Sequence, residues 1–179
     1  MTELDFVPVT QKTWPDFETL FVQPGGPKYC CCMSWRELAD RQSASSPDKK
    51  KAMAAIVAAG TPVGIIARSD AEVIGWCSVA PRETFRRLMP DQDDNEKGIW
   101  SIVCFFVTRP HRKSGVGAAL LDAAIEHAFN HRASAVEAYP VDPGSPSFRF
   151  MGFKAMFAAR GFRAIGMAGS RRHVMRLEG

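Results

Sequence analysis

Long apolar runs are absent from this sequence of 179 residues. No stretch reaches the roughly 18 apolar residues that a membrane-spanning helix requires. Internal repeats and low-complexity linkers are absent too, which favours one domain over residues 1–179. The first residues, MTELDFVPVTQKTW, carry acidic side chains and no long apolar segment, unlike a secretory signal peptide. We therefore expect a cytoplasmic protein without a membrane partner, whose cysteines are free thiols.

A strong excess of one charge is also missing, since the net charge is only +4. Arg171, Arg172 and Arg176 lie close together, but no basic stripe interleaved with aromatic residues accompanies them. Nucleic-acid binding is therefore not indicated. Hydrophobic residues make up 46% and charged residues 23% of the chain, which is typical of a folded globular protein rather than a disordered one.

The hydrophobic periodicity predicts a mixed α/β domain with the order β-α-α-β-β-β-α-β-α-β-β. Helical spacing of apolar residues, with capping and stop signals, marks 14–22, 45–60, 116–131 and 153–161. Strands are predicted within 4–10, in a hairpin over 62–81, and within 98–108, 134–141, 163–168 and 172–178. The run GIWSIVCFFVT at 98–108 is too continuous for an edge and indicates a buried strand. The polar connection at 82–98 is expected to be partly helical within 83–89.

The segment CFFVTRPHRKSGVGAALLDAAIEHA, residues 104–128, carries the most informative motif. A buried strand ends there in a donor-rich turn, and a helix begins near Gly115 and Gly117. Glycines allow close approach of the backbone to a ligand, and the first helical turn offers free N–H groups at the positive end of the helix dipole. This arrangement predicts an anion site for a phosphate or pyrophosphate. Two other phosphate-binding motifs do not match this segment. A dinucleotide fingerprint would need a glycine where Leu120 stands, and a Walker loop would need its lysine after the glycines.

The pattern Arg112-x-x-Gly115-x-Gly117 after a buried strand resembles the acetyl-CoA signature of the GNAT superfamily of N-acetyltransferases, Arg/Gln-x-x-Gly-x-Gly/Ala. The segment MFAARGF, residues 156–162, resembles the closing helix and turn of that family. A more particular similarity is to a largely uncharacterised subset that combines C-x-C-M-x-W-R, GWCSVAPRE and EAYPVD. In layout, the resemblance covers nearly the whole chain.

The resemblance implies an α/β fold of one GNAT domain, with a mixed, mostly antiparallel, twisted sheet of about seven strands flanked by about four helices. It also implies acetyl-CoA as acyl donor and direct transfer of the acetyl group to a primary amine of an unidentified small-molecule acceptor, without a metal. Backbone groups of Phe105 and Val107 would pair with the pantetheine arm. The pyrophosphate would be held by Arg112, Lys113, Ser114, Gly115, Val116, Gly117 and Ala118. Homodimers are common for this fold, although no feature of the sequence demonstrates one.

The proton-transfer residues depart from the family pattern. The tyrosine that usually acts as general acid is replaced by Phe157. Ser101 stands at the position where a glutamate commonly acts as general base. Tyr139 and Glu83 are the candidate catalytic substitutes, together with a thiol from the cysteine triplet. An alternative function without catalysis is therefore an acyl-CoA-binding sensor or regulator. A third interpretation keeps the same site but uses a different acyl donor.

The triplet Cys30-Cys31-Cys32 belongs to the stretch KYCCCMSW, which the resemblance places over the acceptor end of the cleft. Adjacent cysteines do not match the ligand spacing of zinc, so no metal site is expected. The triplet is either packed as an apolar loop with Met33 and Trp35 or forms a wall of the acceptor site, with Cys31 facing opposite to its neighbours. Cys77 and Cys104 lie in predicted strands, where a thiol acts as a small apolar group.

Acceptor binding is assigned to Cys31, Cys32, Trp35 and Arg82. Arg36 and Arg86 add to a hypothesis that the cleft suits an acidic group on the acceptor. His127 and His131 share one face of a predicted helix, a spacing that also occurs in metal sites, but the sequence offers no third ligand.

Overall fold

The computed structural model describes residues 3–89 and 95–179. Within them the predicted order of helices and strands is confirmed, with three short 3₁₀ turns in addition. The strands are β1 Leu4–Pro8, β2 Ile65–Ser69, β3 Glu72–Pro81, β4 Ile99–Val107, β5 Ala135–Ala138, β6 Arg163–Ala168 and β7 Arg172–Glu178. The helices are α1 Trp14–Val22, α2 Ser46–Ala58, α3 Val116–Asn130 and α4 Lys154–Ala158. The 3₁₀ turns are Arg82–Thr84, Arg109–His111 and Arg149–Met151.

The seven described strands form one sheet in the order β1-β2-β3-β4-β5-β7-β6. Neighbouring strands are antiparallel except for β4 and β5, which are parallel. Parallel strands need a crossover connection, and α3 supplies it. The predicted fold class, a mixed and mostly antiparallel sheet flanked by four helices, is thereby confirmed.

Helices cover both faces of the sheet. On one face α3 packs its buried residues, among them Leu120 and Ala124, against alternate side chains of β2 to β5. On the other face α1 and α2 enclose Trp76, whose ring meets that of Phe17 edge-on at a centroid distance of 5.0 Å. Because both faces of the sheet are covered, the sequences of β3 and β4 are mostly apolar throughout and do not alternate between apolar and polar residues.

Local signals account for the helix ends. The side chain of Ser45 accepts a hydrogen bond from the Asp48 amide, and the Asp48 carboxylate accepts one from the Ser45 amide, so a capping box begins α2. Gly60, at φ 77°, follows the end of this helix in the left-handed conformation that glycine adopts readily. A helix with the length and apolar character needed to cross a membrane does not occur in residues 3–89 or 95–179.

The expected helical structure within 83–89 is limited to the 3₁₀ turn Arg82–Thr84. After the 3₁₀ turn Arg82–Thr84, the Arg87 amide donates to the Trp35 carbonyl at 3.2 Å instead of to a preceding turn of its own segment. Phe85 and Leu88 are both buried, so the segment is anchored by tertiary contacts. The remainder of the polar connection includes residues 90–94, which lie outside the described residues.

Candidate functional site

The turn between β4 and α3 contains two left-handed residues. Lys113 has φ 64° and Gly115, the N-cap of α3, has φ 89°. No side chain caps the helix, and the first backbone bond of α3 runs from the Ala119 amide to the Gly115 carbonyl at 3.0 Å. Glycine is the residue that adopts this conformation without a Cβ penalty, which explains why Gly115 stands at the helix start.

Free amides line this turn. The N–H groups from Lys113 to Ala118 make no hydrogen bond of good geometry within residues 3–89 and 95–179. A Cβ built on Gly115 or on Gly117 would meet no atom within 4 Å, so open space lies in front of these amides. Free N–H groups and the positive end of the dipole of α3 together favour an anion here. We call residues 112–118 the amide turn.

The side chains of the amide turn are arranged around its rim. Arg112 folds back so that its Nε donates to the Val107 carbonyl at 2.8 Å, with its guanidinium 6.0 Å from the centre of the Phe106 ring. The Ser114 hydroxyl donates to the His111 carbonyl at 2.5 Å, and Lys113 is exposed. The two cationic side chains therefore remain at the mouth of the turn, where they add positive charge.

The strands β4 and β5 part from each other halfway along β4. Their pairing ends at Ile102 and Ala138. On the other side of β4 the pairing to β3 continues to Val107, but it shifts register between the pairs Ser78–Cys104 and Val79–Ile102. The shift leaves Val103 as an extra residue, a bulge of the kind that often occurs next to active sites. From Val103 to Val107 the edge of β4 that faces β5 has no strand partner among the described strands.

A cavity of about 250 Å³ adjoins this open edge. We call it the β4-edge cavity, and its walls are aromatic side chains and thiols. It is lined by Pro27, Cys30, Cys32, Ser34, Trp35, Cys104, Phe105, Phe106 and Phe150. The indole N–H of Trp35 is buried and has no hydrogen-bond partner in the described part of the chain. An apolar cavity with a few polar groups is typical of a small-molecule site.

The cysteine triplet separates two cavities. Cys30 and Cys32 line the β4-edge cavity, whereas Cys31 lines another cavity of about 360 Å³ beside α1 and α2. The opposite direction of Cys31 was predicted. Cys31 and Cys32 occupy a tight turn with φ 43° and 56°. All five cysteines of the chain are free thiols.

The predicted acceptor residues are only partly brought together. Cys32 and Trp35 share the β4-edge cavity, whereas Cys31 lies in the other cavity. Arg82 is buried and forms ion pairs with Glu96 at 3.4 Å and with Glu137 at 3.3 Å. The hypothesis that Arg36 lines an open, cationic cleft does not agree with its placement, since Arg36 is only 1% exposed.

Tyr139 lies at the end of β5, where the two strands part, and is completely buried. Its hydroxyl donates to the Glu137 carboxylate at 2.7 Å, so the Ser101 hydroxyl, 3.1 Å away, must donate to it. Burial, and then the negative charge of Glu137, raise the pKa of Tyr139 well above its usual value. Glu83, the other predicted catalytic residue, is exposed in the turn Arg82–Thr84. Both roles stay predictions.

Glu137 is the centre of a charged network between β5 and β7. Its carboxylate is only 2% exposed and accepts from Arg176 at 2.6 Å as well as from Arg82. Arg176 also donates to both oxygens of Glu96, at 2.6 and 2.8 Å, and these bonds lower the pKa of Glu96. The same carboxylate accepts a hydrogen bond from the Tyr139 hydroxyl and so holds that hydroxyl in place.

Phe157 occupies the position of the usual tyrosine and is buried in α4. Its ring packs edge-on against Phe162 at 5.3 Å and lies 6.2 Å from the ring of Phe105 on β4. The side chain therefore reaches the neighbourhood of the open edge of β4 but offers only a hydrocarbon surface there.

The pair His127 and His131 lies away from the amide turn and from the β4-edge cavity. His127 and His131 pack against Trp100, and burial followed by the charge of His131 lowers the pKa of His127 to about 4. No group of three or more His, Cys, Asp or Glu side chains is placed to hold a metal ion within residues 3–89 and 95–179.

Several residues of the site were not found from the sequence. Glu137 and Arg176 pair across strands, and the one available signal is a carboxylate placed in the apolar strand Ala135–Ala138. Cys104 was expected to be an interior apolar group, but the bulge at Val103 places it at the β4-edge cavity. Bulges have no strong sequence signature, so this position could not be anticipated.

Comparison with known proteins agrees with this geometry. The sequence model of the Acetyltransferase (GNAT) family matches residues 29–153, which is more than half of the chain. This chain therefore belongs to the acetyltransferase (GNAT) family. A comparison with the curated proteins finds no match.

Solved structures share the fold at low sequence identity. A ribosomal-protein-alanine N-acetyltransferase from Brucella melitensis is 14% identical, with a TM-score of 0.57 and 98% of each chain covered. The PaiA N-acetyltransferase from Thermoplasma acidophilum, solved in complex with coenzyme A, is 10% identical, with a TM-score of 0.58 and 99% of each chain covered. An uncharacterized protein from Bacillus halodurans is 13% identical, with a TM-score of 0.63, over 99% of this chain and 84% of that one.

A stability measurement tests the contrast between the buried carboxylate of Glu137 and the exposed carboxylate of Glu83. We expect Glu137→Ala to lower the free energy of unfolding by about 3 kcal/mol, because it removes the carboxylate that buried Arg82 and Arg176 share. The matched control Glu83→Ala removes an exposed carboxylate and should leave the stability nearly unchanged. Urea unfolding measures both variants, and equal losses would contradict the network described here.

Proposed function

We propose that this protein is an acetyl-CoA-dependent N-acetyltransferase that transfers the acetyl group directly to a primary amine. The observation that carries the proposal is the continuity of two features along β4. The open edge from Val103 to Val107 leads directly into the amide turn. A pyrophosphate at the amide turn and an extended arm beside β4 would bring a thioester to the β4-edge cavity.

The residues of this path have distinct roles in the proposal. Free amides from Lys113 to Ala118 would bind the pyrophosphate, with Arg112 and Lys113 adding charge at the rim. Backbone groups of Phe105 and Val107 would pair with the pantetheine arm, which explains why this edge needs no strand partner. The protein would thus act mainly by holding thioester and amine in one orientation, a major source of rate enhancement.

The lining of the β4-edge cavity bears on the acceptor. Trp35, Phe105, Phe106 and Phe150 form its walls, and the guanidinium of Arg36 lies in the interior instead of facing an open cleft. We therefore favour a small primary amine with an aromatic or apolar body over one with an acidic group. Aromatic walls bury such a body well, whereas an acidic group would lose hydration there without a partner.

A non-catalytic acyl-CoA-binding sensor is the second candidate function. Two observations favour it: Phe157 cannot donate a proton, and Ser101 is buried in a hydrogen bond to Tyr139. Both functions use the same ligand path, so they differ only in whether an amine is acetylated.

Further features of the proposal concern the whole protein. We propose a cytoplasmic location, because all five cysteines are free thiols. A single-domain organisation over residues 1–179 and formation of a homodimer complete the proposal.

Acetyl-CoA should raise the melting temperature of the wild-type protein. At a hundredfold excess over Kd the stabilisation is about 2.7 kcal/mol, or roughly 5–10 °C for a chain of this size. Gly117→Leu should abolish this shift, because the leucine side chain would fill the open space in front of the free amides. Differential scanning fluorimetry measures the effect.

Gly144→Leu is the matched control, since Gly144 also faces open space but does not belong to the amide turn. It should keep the full shift, and both variants should melt near the wild-type temperature without ligand. An undiminished shift for Gly117→Leu would contradict the assignment of the amide turn.

An amine panel separates the enzyme from the sensor. Wild-type protein is incubated with acetyl-CoA and phenethylamine, ethanolamine, glutamate or spermidine, and the released CoA thiol is measured. We expect phenethylamine to give the highest turnover, because its ring suits the aromatic walls of the β4-edge cavity. Binding of acetyl-CoA without CoA release on any amine would favour the sensor, and a preference for glutamate would contradict the proposed acceptor class.

A further inference from the structure

A buried arginine without a carboxylate partner lies next to the β4-edge cavity. The guanidinium of Arg36 donates to the Val63 carbonyl at 3.1 Å, to the Thr84 hydroxyl at 3.2 Å and to the Ser78 hydroxyl at 3.5 Å. All three acceptors are neutral, and its Nε has no partner in the described part of the chain. Burial lowers the pKa of Arg36 only to about 10, so the group remains a cation at neutral pH.

A buried cation requires a nearby anion to offset the cost of its desolvation. Among the described residues Arg36 forms no ion pair with an Asp or Glu side chain. The group that interacts electrostatically with it is the thiol of Cys32. Arg36 therefore favours the thiolate form of Cys32, and the pair compensates its charge inside the protein.

The surroundings of Cys32 also favour a thiolate. The Trp76 indole N–H donates to Cys32 Sγ at 3.4 Å. Hydrogen bonding from the Cys104 thiol, followed by the charge of Arg36 and the donors Ser78 and Trp76, lowers the pKa of Cys32 to about 6, against the opposing effect of burial. The interaction with Cys32, followed by burial, raises the pKa of Cys104 well above its usual value.

Cys32 also faces the β4-edge cavity, where acetyl transfer is proposed. It lines the β4-edge cavity together with Cys104 and Phe105, at the point where the edge of β4 becomes free. It is 7% exposed, enough for contact with a bound molecule but little contact with bulk water. Tyr139, in contrast, is fully buried with its proton bound to Glu137, and Glu83 lies in the exposed turn Arg82–Thr84.

We propose that the Cys32 thiolate, held by Arg36, is the proton acceptor for the amine during acetyl transfer. This inference rests on the proposed function and supplies the proton handler that Phe157 and Ser101 do not. The unprotonated amine nitrogen forms a bond to the acetyl carbonyl carbon, and the carbon–sulfur bond to CoA breaks. The proton lost by the nitrogen goes to Cys32 Sγ. Cys32 then returns it to the departing CoA thiolate, which restores the Cys32 thiolate.

A thiolate of this kind suits the role of general base. A general base works best when it is largely ionised at the working pH and still basic enough to take a proton. The titratable and charged groups that surround it are Arg36 on its own segment, Cys30 beside it, Cys77 on β3 and Cys104 on β4. The three thiols have raised pKa values, so Cys32 is the one that ionises near neutrality.

The test compares substitutions at two adjacent cysteines that line different cavities. With acetyl-CoA and phenethylamine as substrates, Cys32→Ser should lower kcat by about 10²–10⁴-fold, because a hydroxyl does not ionise in this range. Cys31 was assigned to acceptor binding from the sequence, but its side chain lies in the cavity beside α1 and α2 and not in the β4-edge cavity. Cys31→Ser should therefore keep wild-type kcat. Both variants should retain the melting-temperature shift with acetyl-CoA, which shows that the donor site is intact.

The pH dependence distinguishes a proton acceptor from a structural residue. In the wild-type protein kcat should fall as the pH drops through about 6, since the thiolate becomes protonated. Cys32→Asp keeps an anion beside Arg36, so it should restore part of the activity and move this fall to lower pH. Wild-type kcat and an unchanged acidic limb in Cys32→Ser would overturn the proposal. Acetylation of Cys32 itself, detected by mass spectrometry during turnover, would overturn it in favour of a covalent route.

Alkylation of the wild-type protein keeps the proposal testable if the variants do not fold. Iodoacetamide should modify Cys32 with a half-maximal rate near pH 6, and CoA should protect it, as peptide mapping by mass spectrometry would show. Modification only at a pH near or above the pKa of an ordinary cysteine thiol, or modification without protection by CoA, would contradict the inference. If wild-type protein binds acetyl-CoA and turns over phenethylamine while Cys32 fails these tests, the inference alone is wrong.

Discussion

The parting of β4 from β5 after Ile102 and Ala138 is the constraint on which the rest of the site depends. Backbone groups along a sheet need partners, and an open edge inside a sheet is rare unless something else pairs with it. Here the free edge leads into a turn whose amides are also free, from Lys113 to Ala118. An edge without a strand partner and a row of free amides on one line favour an extended ligand with an anionic group at one end.

Charge compensation shapes the wall of the site that lies opposite the open edge of β4. Arg36 is buried without a carboxylate partner among the described residues, and Cys32 interacts with it electrostatically. The bulge at Val103 brings Cys104 to the β4-edge cavity, which Cys32 also lines. On the far side of the parting strands, Glu137 holds Tyr139 between Ser101 and the arginines of the charged network. The site therefore lies between the charged network around Glu137 and the segment that carries Arg36 and Cys32.

Features set by local sequence were predicted well. The bounds of α1, β6 and β7 coincide with the predicted segments, because periodicity, Pro15 and the turn residues are local signals. The amide turn was identified because its glycines and its position after a buried strand are visible in the sequence. Features that depend on distant contacts were not predicted. Arg36 reads as a surface residue, and its burial arises only from packing against Val63 and Ser78.

A crystal structure of the protein with coenzyme A tests the central claim most directly. The account predicts pyrophosphate oxygens within hydrogen-bonding distance of the amides between Lys113 and Ala118. It also predicts the pantetheine arm beside Phe105 and Val107, with the sulfur at the β4-edge cavity near Cys32. Coenzyme A bound elsewhere, with the amide turn and the open edge of β4 both free of ligand, would contradict it.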